Sequence, residues 1–230
     1  TFDKLKEAFV SYVHNLPFYG VAIACIDHPV VKELLPRFQR RTITYGFSQE
    51  ADVRAINVTT TPDWLMYDVA FSSKMINFPR LVKGVRLPMF GPHNVLNSLT
   101  TLAVGHDIGV TAEKIVEALA KFSGVKRRFT TTGIVNNITV IDDYGHHPVE
   151  IAAVLKAGRD AVQGKGGGRI IAVMQPHRYS RLSALFDDFA KCFELADEVI
   201  IADVYAAGEE PVVGVDKTSM VEEKKKTGQQ

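Results

Sequence analysis

The 230 residues carry a formal net charge of +1, with 46% hydrophobic and 23% charged residues. That balance excludes partners gripped by a clear excess of Lys and Arg, such as nucleic acid or an anionic membrane surface, and leaves small-molecule chemistry as the expectation. No apolar run approaches the roughly 20 residues that cross a bilayer, so a soluble, cytoplasmic protein is expected, with material for one large core or two modest ones.

Phe2, Leu5, Phe9, Tyr12, Val13 and Leu16 recur at helical spacing, with Lys4, Lys6 and Glu7 on the other face, which predicts an amphipathic helix. It opens without a methionine or a preceding strand, as if inside a domain. Pro17 stops it; residues 21–26 read as a buried strand and residues 30–35 as a short helix. Between Arg41 and Arg86 the pattern alternates, predicting strands at 42–45, 53–58, 66–71 and 75–85 in a mixed or antiparallel sheet. Beyond Pro88 and Gly91-Pro92 come helices at 94–104, with Leu96, Leu99, Leu102 and Ala103 inward, and at 112–122.

At Ser123-Gly124 the character changes to repeating strand and helix units. A hairpin is expected over 134–141 around Asn136-Asn137, then a helix at 149–162, a buried strand at 170–174, a helix at 182–195 and a strand at 199–204. That order predicts a parallel, doubly wound sheet, and an α/β chain of two domains, residues 1–123 and 124–230. The charged end, 222–230, is expected to fray. Lys165, in the glycine run 164–168, is followed by Gly166, and no GxxxxGK[ST] phosphate loop occurs, so the run reads as a flexible connection. Cys25 and Cys192, among apolar residues and in no metal or redox spacing, read as buried thiols in a reducing compartment.

Three segments carry candidate chemistry. Asn94 and Asn97 project from one face of a helix start beside His93, and an amide offers the donor and acceptor that match the N6 and N7 edge of adenine. Alone, an asparagine there is more often a cap. Asp142, Asp143, Tyr144, His146 and His147 crowd a strand-to-helix junction, where doubly wound sheets place ligands; one of them capping the helix that starts at Pro148 is the ordinary alternative, five are not. His177, Arg178 and Arg181 follow the next strand in the same way. Cations sit badly at the positive end of a helix dipole, so an anion is expected there. Lys126-Arg127-Arg128 opens the second domain.

The ordered strings HNVLN at 93–97, residues 124–129, DDYGHHP at 142–148, QPHR at 175–178 and AGE at 207–209, with HNLPFYG at 14–20, resemble those of the Mur ligases over residues 2 to about 219. DDYGHHP with QPHR is similar to the members that add L-alanine to UDP-N-acetylmuramate. The resemblance implies an enzyme of three domains: residues 1–123 would be the latter part of the central, ATP-binding domain, and residues 124–230 the first part of a Rossmann-like, amino-acid-binding domain. The UDP-sugar domain and the phosphate loop would lie outside this chain. It further implies ATP and Mg2+ as cofactors, with no metal ligand within the chain. The implied reaction makes an acyl phosphate on the lactyl carboxylate, which the amine of L-alanine then attacks. Asn94, Asn97 and His93 would hold adenine; Arg128 with Asp142 or Asp143 would contact ribose and phosphates. Tyr144, His146, His177, Arg178 and Arg181 would surround the alanine, with His146, His177 and Arg178 catalytic and His146 assisting amine deprotonation. The alternatives are the relative that reattaches recycled murein peptide and a non-catalytic nucleotide-binding unit.

Overall fold

A computed structural model describes residues 1–61, 64–164 and 166–226, so the expectations for Lys165 and for residues 227–230 lie outside the described residues. β1 (Val21–Cys25), β2 (Arg41–Gly46), β3 (Val53–Thr60), β4 (Leu65–Phe71) and β5 (Leu81–Leu87) form one sheet in sequence order. β1, β2 and β3 run parallel, and β3, β4 and β5 form an antiparallel meander, so the sheet is mixed. The parallel β1–β2 pair needs a crossover, supplied by α2 (Pro29–Leu34) and the 3-10 turn Leu35–Arg37. Along β4 Leu65, Tyr67, Val69 and Phe71 are buried, the period-two pattern of a strand with one face in the core. α3 (Pro92–Asp107) and α4 (Ala112–Ala120) cover that face through Val95, Leu99, Leu102, Ala103, Ile115 and Leu119. Pro92 fits the first turn of α3, where its missing N–H has no partner to lose.

Asp52 joins the strands of this sheet. Its carboxylate is 2% exposed and accepts hydrogen bonds from Thr44 N–H (3.0 Å), Thr44 Oγ1 (2.9 Å) and Ser72 Oγ (2.7 Å), with Lys74 Nζ 3.3 Å away. Burial pushes its pKa up, but the Ser72 and Thr44 hydrogen bonds and the Lys74 charge outweigh it, and the carboxyl is held below its usual range. A depressed folded pKa stabilises the fold above the unfolded value near 3.9, and that contribution is lost as pH falls through the folded pKa. Asp52→Ala is expected to lower stability at neutral pH by about 2–3 kcal/mol, because three donors lose their acceptor. It should also flatten the acid side of the unfolding midpoint against pH; an unchanged acid limb would sink this account.

Three features differ from the sequence reading. α1 (Phe2–His14) forms, but Phe2, Leu5, Phe9 and Tyr12 are exposed and Val10 is its buried residue. The face that docks carries buried Val10 together with Lys6, which pairs with Glu33, while Glu7 pairs with Arg37 and His14 Nε2 meets Arg37 O. The expected strand 75–85 begins only at Leu81, since Asn77 has φ 64 and Pro79 cannot donate to a ladder, and residues 72–80 form turns instead. Cys25 and Cys192 are free but only half-buried, because Cys25 closes β1 at the sheet end and Cys192 follows a short helix.

A second compact unit begins at Gly124. The hairpin of β6 (Thr130–Val135) and β7 (Ile138–Asp142) turns through Asn136 and Asn137, both at positive φ, as asparagine tolerates. α5 (Pro148–Gly164), β8 (Ile171–Met174), α6 (Tyr179–Ala184), α7 (Phe186–Lys191), β9 (Glu198–Ile201) and α8 (Lys217–Lys226) follow. β8 and β9 pair in parallel, so the fold class is α/β, with a Rossmann-like alternation of strand and helix. Among the described residues the parallel sheet is this pair, and the hairpin stands apart from it. The single helix expected at 182–195 is two, broken at Leu185 with φ −125. The expected fraying from 222 gives way to α8, anchored by Met220 (1% exposed) and capped by Asp216, which accepts from Ser219 N–H and Oγ. Ile151, Leu155, Met174, Leu182, Phe189, Phe193, Val215 and Met220 make the core.

Candidate active site

In the first unit, the start of α3 separates the two asparagines. Asn94 is 6% exposed; its Nδ2 donates to Phe90 O (2.7 Å) and lies 3.2 Å from His93 Nε2, while its Oδ1 accepts from Asn97 Nδ2 (3.4 Å). Buried and engaged at both ends of its amide, Asn94 ties the preceding loop to the helix. Asn97, one turn on, is exposed. Of the two amides, Asn97 is the accessible one and Asn94 the buried one.

In the second unit, Asp143 Oδ2 accepts from Phe129 N–H (2.8 Å) and Oδ1 from Gly145 N–H (2.7 Å). Tyr144 N–H donates to Arg127 O at 2.8 Å, so Asp143 clamps residues 125–129 to the strand end. That segment needs a clamp, because Arg127 and Phe129 both sit at positive φ. Asp142, by contrast, lies 3.5 Å from Arg127 Nε. Glu150 accepts from the N–H groups of His146 (3.0 Å) and His147 (3.1 Å), half of a capping box at the head of α5. Burial raises the Glu150 pKa, but the two N–H groups and the charges of His146 and Arg128 outweigh it, and the side chain is held below the usual carboxylate range. The sequence reading missed Glu150; a Glu at the third helical position behind Pro148 was the available signal.

This clamp aims the imidazoles. His146 Nδ1 lies 2.9 Å from Tyr144 O, a hydrogen bond only if Nδ1 carries a proton; in the neutral imidazole that leaves Nε2 as a lone-pair acceptor. His147 Nδ1 instead accepts from Val149 N–H at 3.4 Å, within the first turn of α5. The Arg127 guanidinium lies over the Tyr144 ring at 5.0 Å, Tyr144 meets His146 edge-on at 5.1 Å, His146 is 6.3 Å from His177, and His177 stacks on Tyr205 at 5.3 Å. The two polar segments, far apart in sequence, are thus one continuous row of rings. His177 Nδ1 and Arg181 Nη1 are buried and, among the described residues, meet no hydrogen-bond partner. Arg178 is half-exposed. Arg128 lies in the same unit, its charge felt by Glu150. The anion expected at the start of α6 is in the chain itself: Glu209 accepts from Ser180 N–H (2.9 Å) and Oγ (2.7 Å) and lies 3.9 Å from Arg178 Nη1. The sequence reading gave neither Tyr205 nor Glu209 a role.

Residues 1–105 match the family model described as the Mur ligase middle domain, and residues 127–230 the model described as Mur ligase, glutamate ligase domain. Between them these account for most of the chain, which belongs to the Mur ligase family. The UDP-N-acetylmuramate--L-alanine ligase of Rhodospirillum rubrum is 53% identical over 223 residues, 96% of this chain and 46% of the relative. That of Rhodospirillum centenum is 56% identical over 222 residues, 96% of this chain and 45% of the relative. The chain thus spans about half the length of the curated relatives it matches. Among solved structures, the UDP-N-acetylmuramate-alanine ligase of Thermotoga maritima superposes with a TM-score of 0.74 at 24% identity, over 100% of this chain and 46% of that one. The MurF ligase of Thermotoga maritima, solved in complex with ADP, superposes with a TM-score of 0.69 at 18% identity, over 87% of this chain and 44% of that one. At these identities the two structures speak for the fold. No helix among the described residues is long and apolar enough to cross a membrane.

Proposed function

We propose that this chain supplies the adenine and amino-acid sides of an ATP-dependent ligase that joins L-alanine to the lactyl carboxylate of UDP-N-acetylmuramate, a cytoplasmic step of peptidoglycan precursor synthesis. The observation that carries this reading is identity above one half to curated ligases of that name over nearly the whole chain, both polar segments included. In this reading residues 1–123 belong to the ATP-binding domain and residues 124–230 to the amino-acid-binding domain.

Asn97 reads the adenine edge, with Asn94 and His93 behind it, and Arg128 and Asp142 face ribose and phosphates while Asp143 holds their loop. Arg178 grips the alanine carboxylate, with Arg181 and His177 adding charge and hydrogen bonds. Tyr144 walls the site, and His146 Nε2 takes a proton from the ammonium so that the nitrogen lone pair can attack the activated carboxyl carbon. ATP, when bound, supplies the phosphoryl group that activates the carboxylate. Mg2+ accompanies it in this reading, and among the described residues no group of three or more His, Cys, Asp or Glu is placed to hold a metal.

Phosphate release by the full-length protein carrying this sequence, measured with UDP-N-acetylmuramate and either L-alanine or a murein tripeptide, decides the substrate. L-alanine is expected to be the better substrate by at least an order of magnitude; preference for the tripeptide overturns the assignment in favour of the peptide-recycling ligase. The 230 residues alone hold no GxxxxGK[ST] loop and are expected to release no phosphate, as the nucleotide-binding-unit alternative also holds. Asn97→Ala in the full-length protein is expected to raise KM for ATP about tenfold while leaving KM for L-alanine unchanged, the worth of one amide hydrogen-bond pair. Equal effects on both constants would count against a base-reading role.

A further inference from the structure

We propose that Tyr205 and Glu209 are positioning residues that set His177 and Arg178 for the amino-acid substrate, a proposal that rests on the amino-acid site described above. After β9 the chain does not leave the sheet but runs alongside residues 175–178: His177 and Tyr205 form a parallel bridge, Tyr205 N–H donates to Pro176 O (2.8 Å) and Arg178 N–H to Tyr205 O (2.9 Å). Gln175 Nε2 adds a bond to Asp203 O at 3.2 Å. On this backbone the Tyr205 ring stacks on the His177 ring, 5.3 Å between centroids and 30° between planes, which fixes the imidazole plane. Tyr205 is 56% exposed and stands outside the buried core of the unit, so burial does not account for a large aromatic side chain here.

Glu209 completes the strap. Ala207 and Gly208, at φ 51 and 86, turn the chain back, so that the Glu209 carboxylate receives Ser180 N–H and Oγ and faces Arg178 Nη1 at 3.9 Å. Arg178 itself sits at φ 73, a conformation that a side chain with a Cβ keeps only when its surroundings hold it. The holding groups are Tyr205 O on its N–H and Glu209 one residue pair further on. Without them Arg178 relaxes toward negative φ, and its guanidinium swings with it. A strap that holds both the imidazole and the strained arginine from outside the core positions them; it touches no reacting atom.

Steady-state kinetics of the full-length protein test this with Y205F, Y205L, E209Q and R178A. Y205F keeps the stack and is expected to stay within about twofold of the parent in every constant. Y205L and E209Q are expected to raise KM for L-alanine about five- to tenfold while KM for ATP and the thermal unfolding midpoint stay unchanged. If R178A raises KM for L-alanine but Y205L and E209Q do not, the strap proposal falls and the amino-acid site stands. If R178A does not raise it either, the site reading fails first. Should Y205L unfold early and change both KM values alike, the role is structural and the proposal is overturned for Tyr205; E209Q, which changes one atom, decides it independently for Glu209.

Discussion

Arg178→Ala in the full-length protein is expected to lower kcat/KM for L-alanine by up to about a hundredfold and to leave KM for ATP within about twofold. A charge-assisted hydrogen bond contributes about 1.5–3 kcal/mol, which is a factor of ten to about a hundred. The upper part of that range applies only if bound substrate excludes water, because the Arg178 side chain is 51% exposed in the free protein. Arg178→Lys keeps the charge but not the planar fork, and recovers only part of the loss. The measurement is initial phosphate release against L-alanine concentration at saturating ATP. A variant that lowers kcat and KM for ATP while sparing KM for L-alanine would move Arg178 from the amino acid to the phosphates.

His146→Gln is expected to lower kcat by about two orders of magnitude or more, the usual worth of a positioned base, with KM for L-alanine little changed. The prediction comes from one contact: Nδ1 held on Tyr144 O at 2.9 Å presents Nε2 as the acceptor. Glu150 supports it by holding the N–H groups of His146 and His147. His147→Gln is the comparator, because its Nδ1 meets Val149 N–H at the head of α5 and it is expected to cost only a few-fold. A larger loss at position 147 than at 146 would reverse the assignment of the two histidines.

Much of this was legible in the sequence because it depends on short-range pattern. The period-two run through Leu65, Tyr67, Val69 and Phe71, the helical spacing of Leu99, Leu102 and Ala103, and the turn at Asn136-Asn137 each follow from local chemistry, and each lies where that chemistry puts it. The clustering of Tyr144, His146, His177 and Arg178 at strand-to-helix junctions was legible for the same reason. What pattern could not show is which face of an amphipathic helix docks. α1 buries Val10 on the face where Lys6 meets Glu33 and Glu7 meets Arg37, and leaves Phe2, Leu5 and Phe9 exposed.

By itself the sequence determined the family, the α/β class and the residue types of the candidate site, since these are written in ordered motifs and in hydrophobic period. Only the tertiary structure decided what each polar side chain is committed to. Asn94 is buried on Phe90 O while Asn97 is open, Asp143 is held by two backbone N–H groups while Asp142 is not, and Glu209 lies against Ser180 although twenty-nine residues separate them. Neighbouring residues of the same type share a motif but not a set of donors and acceptors, and it is the folded backbone, bringing distant N–H and C=O groups within about 3 Å, that assigns those partners.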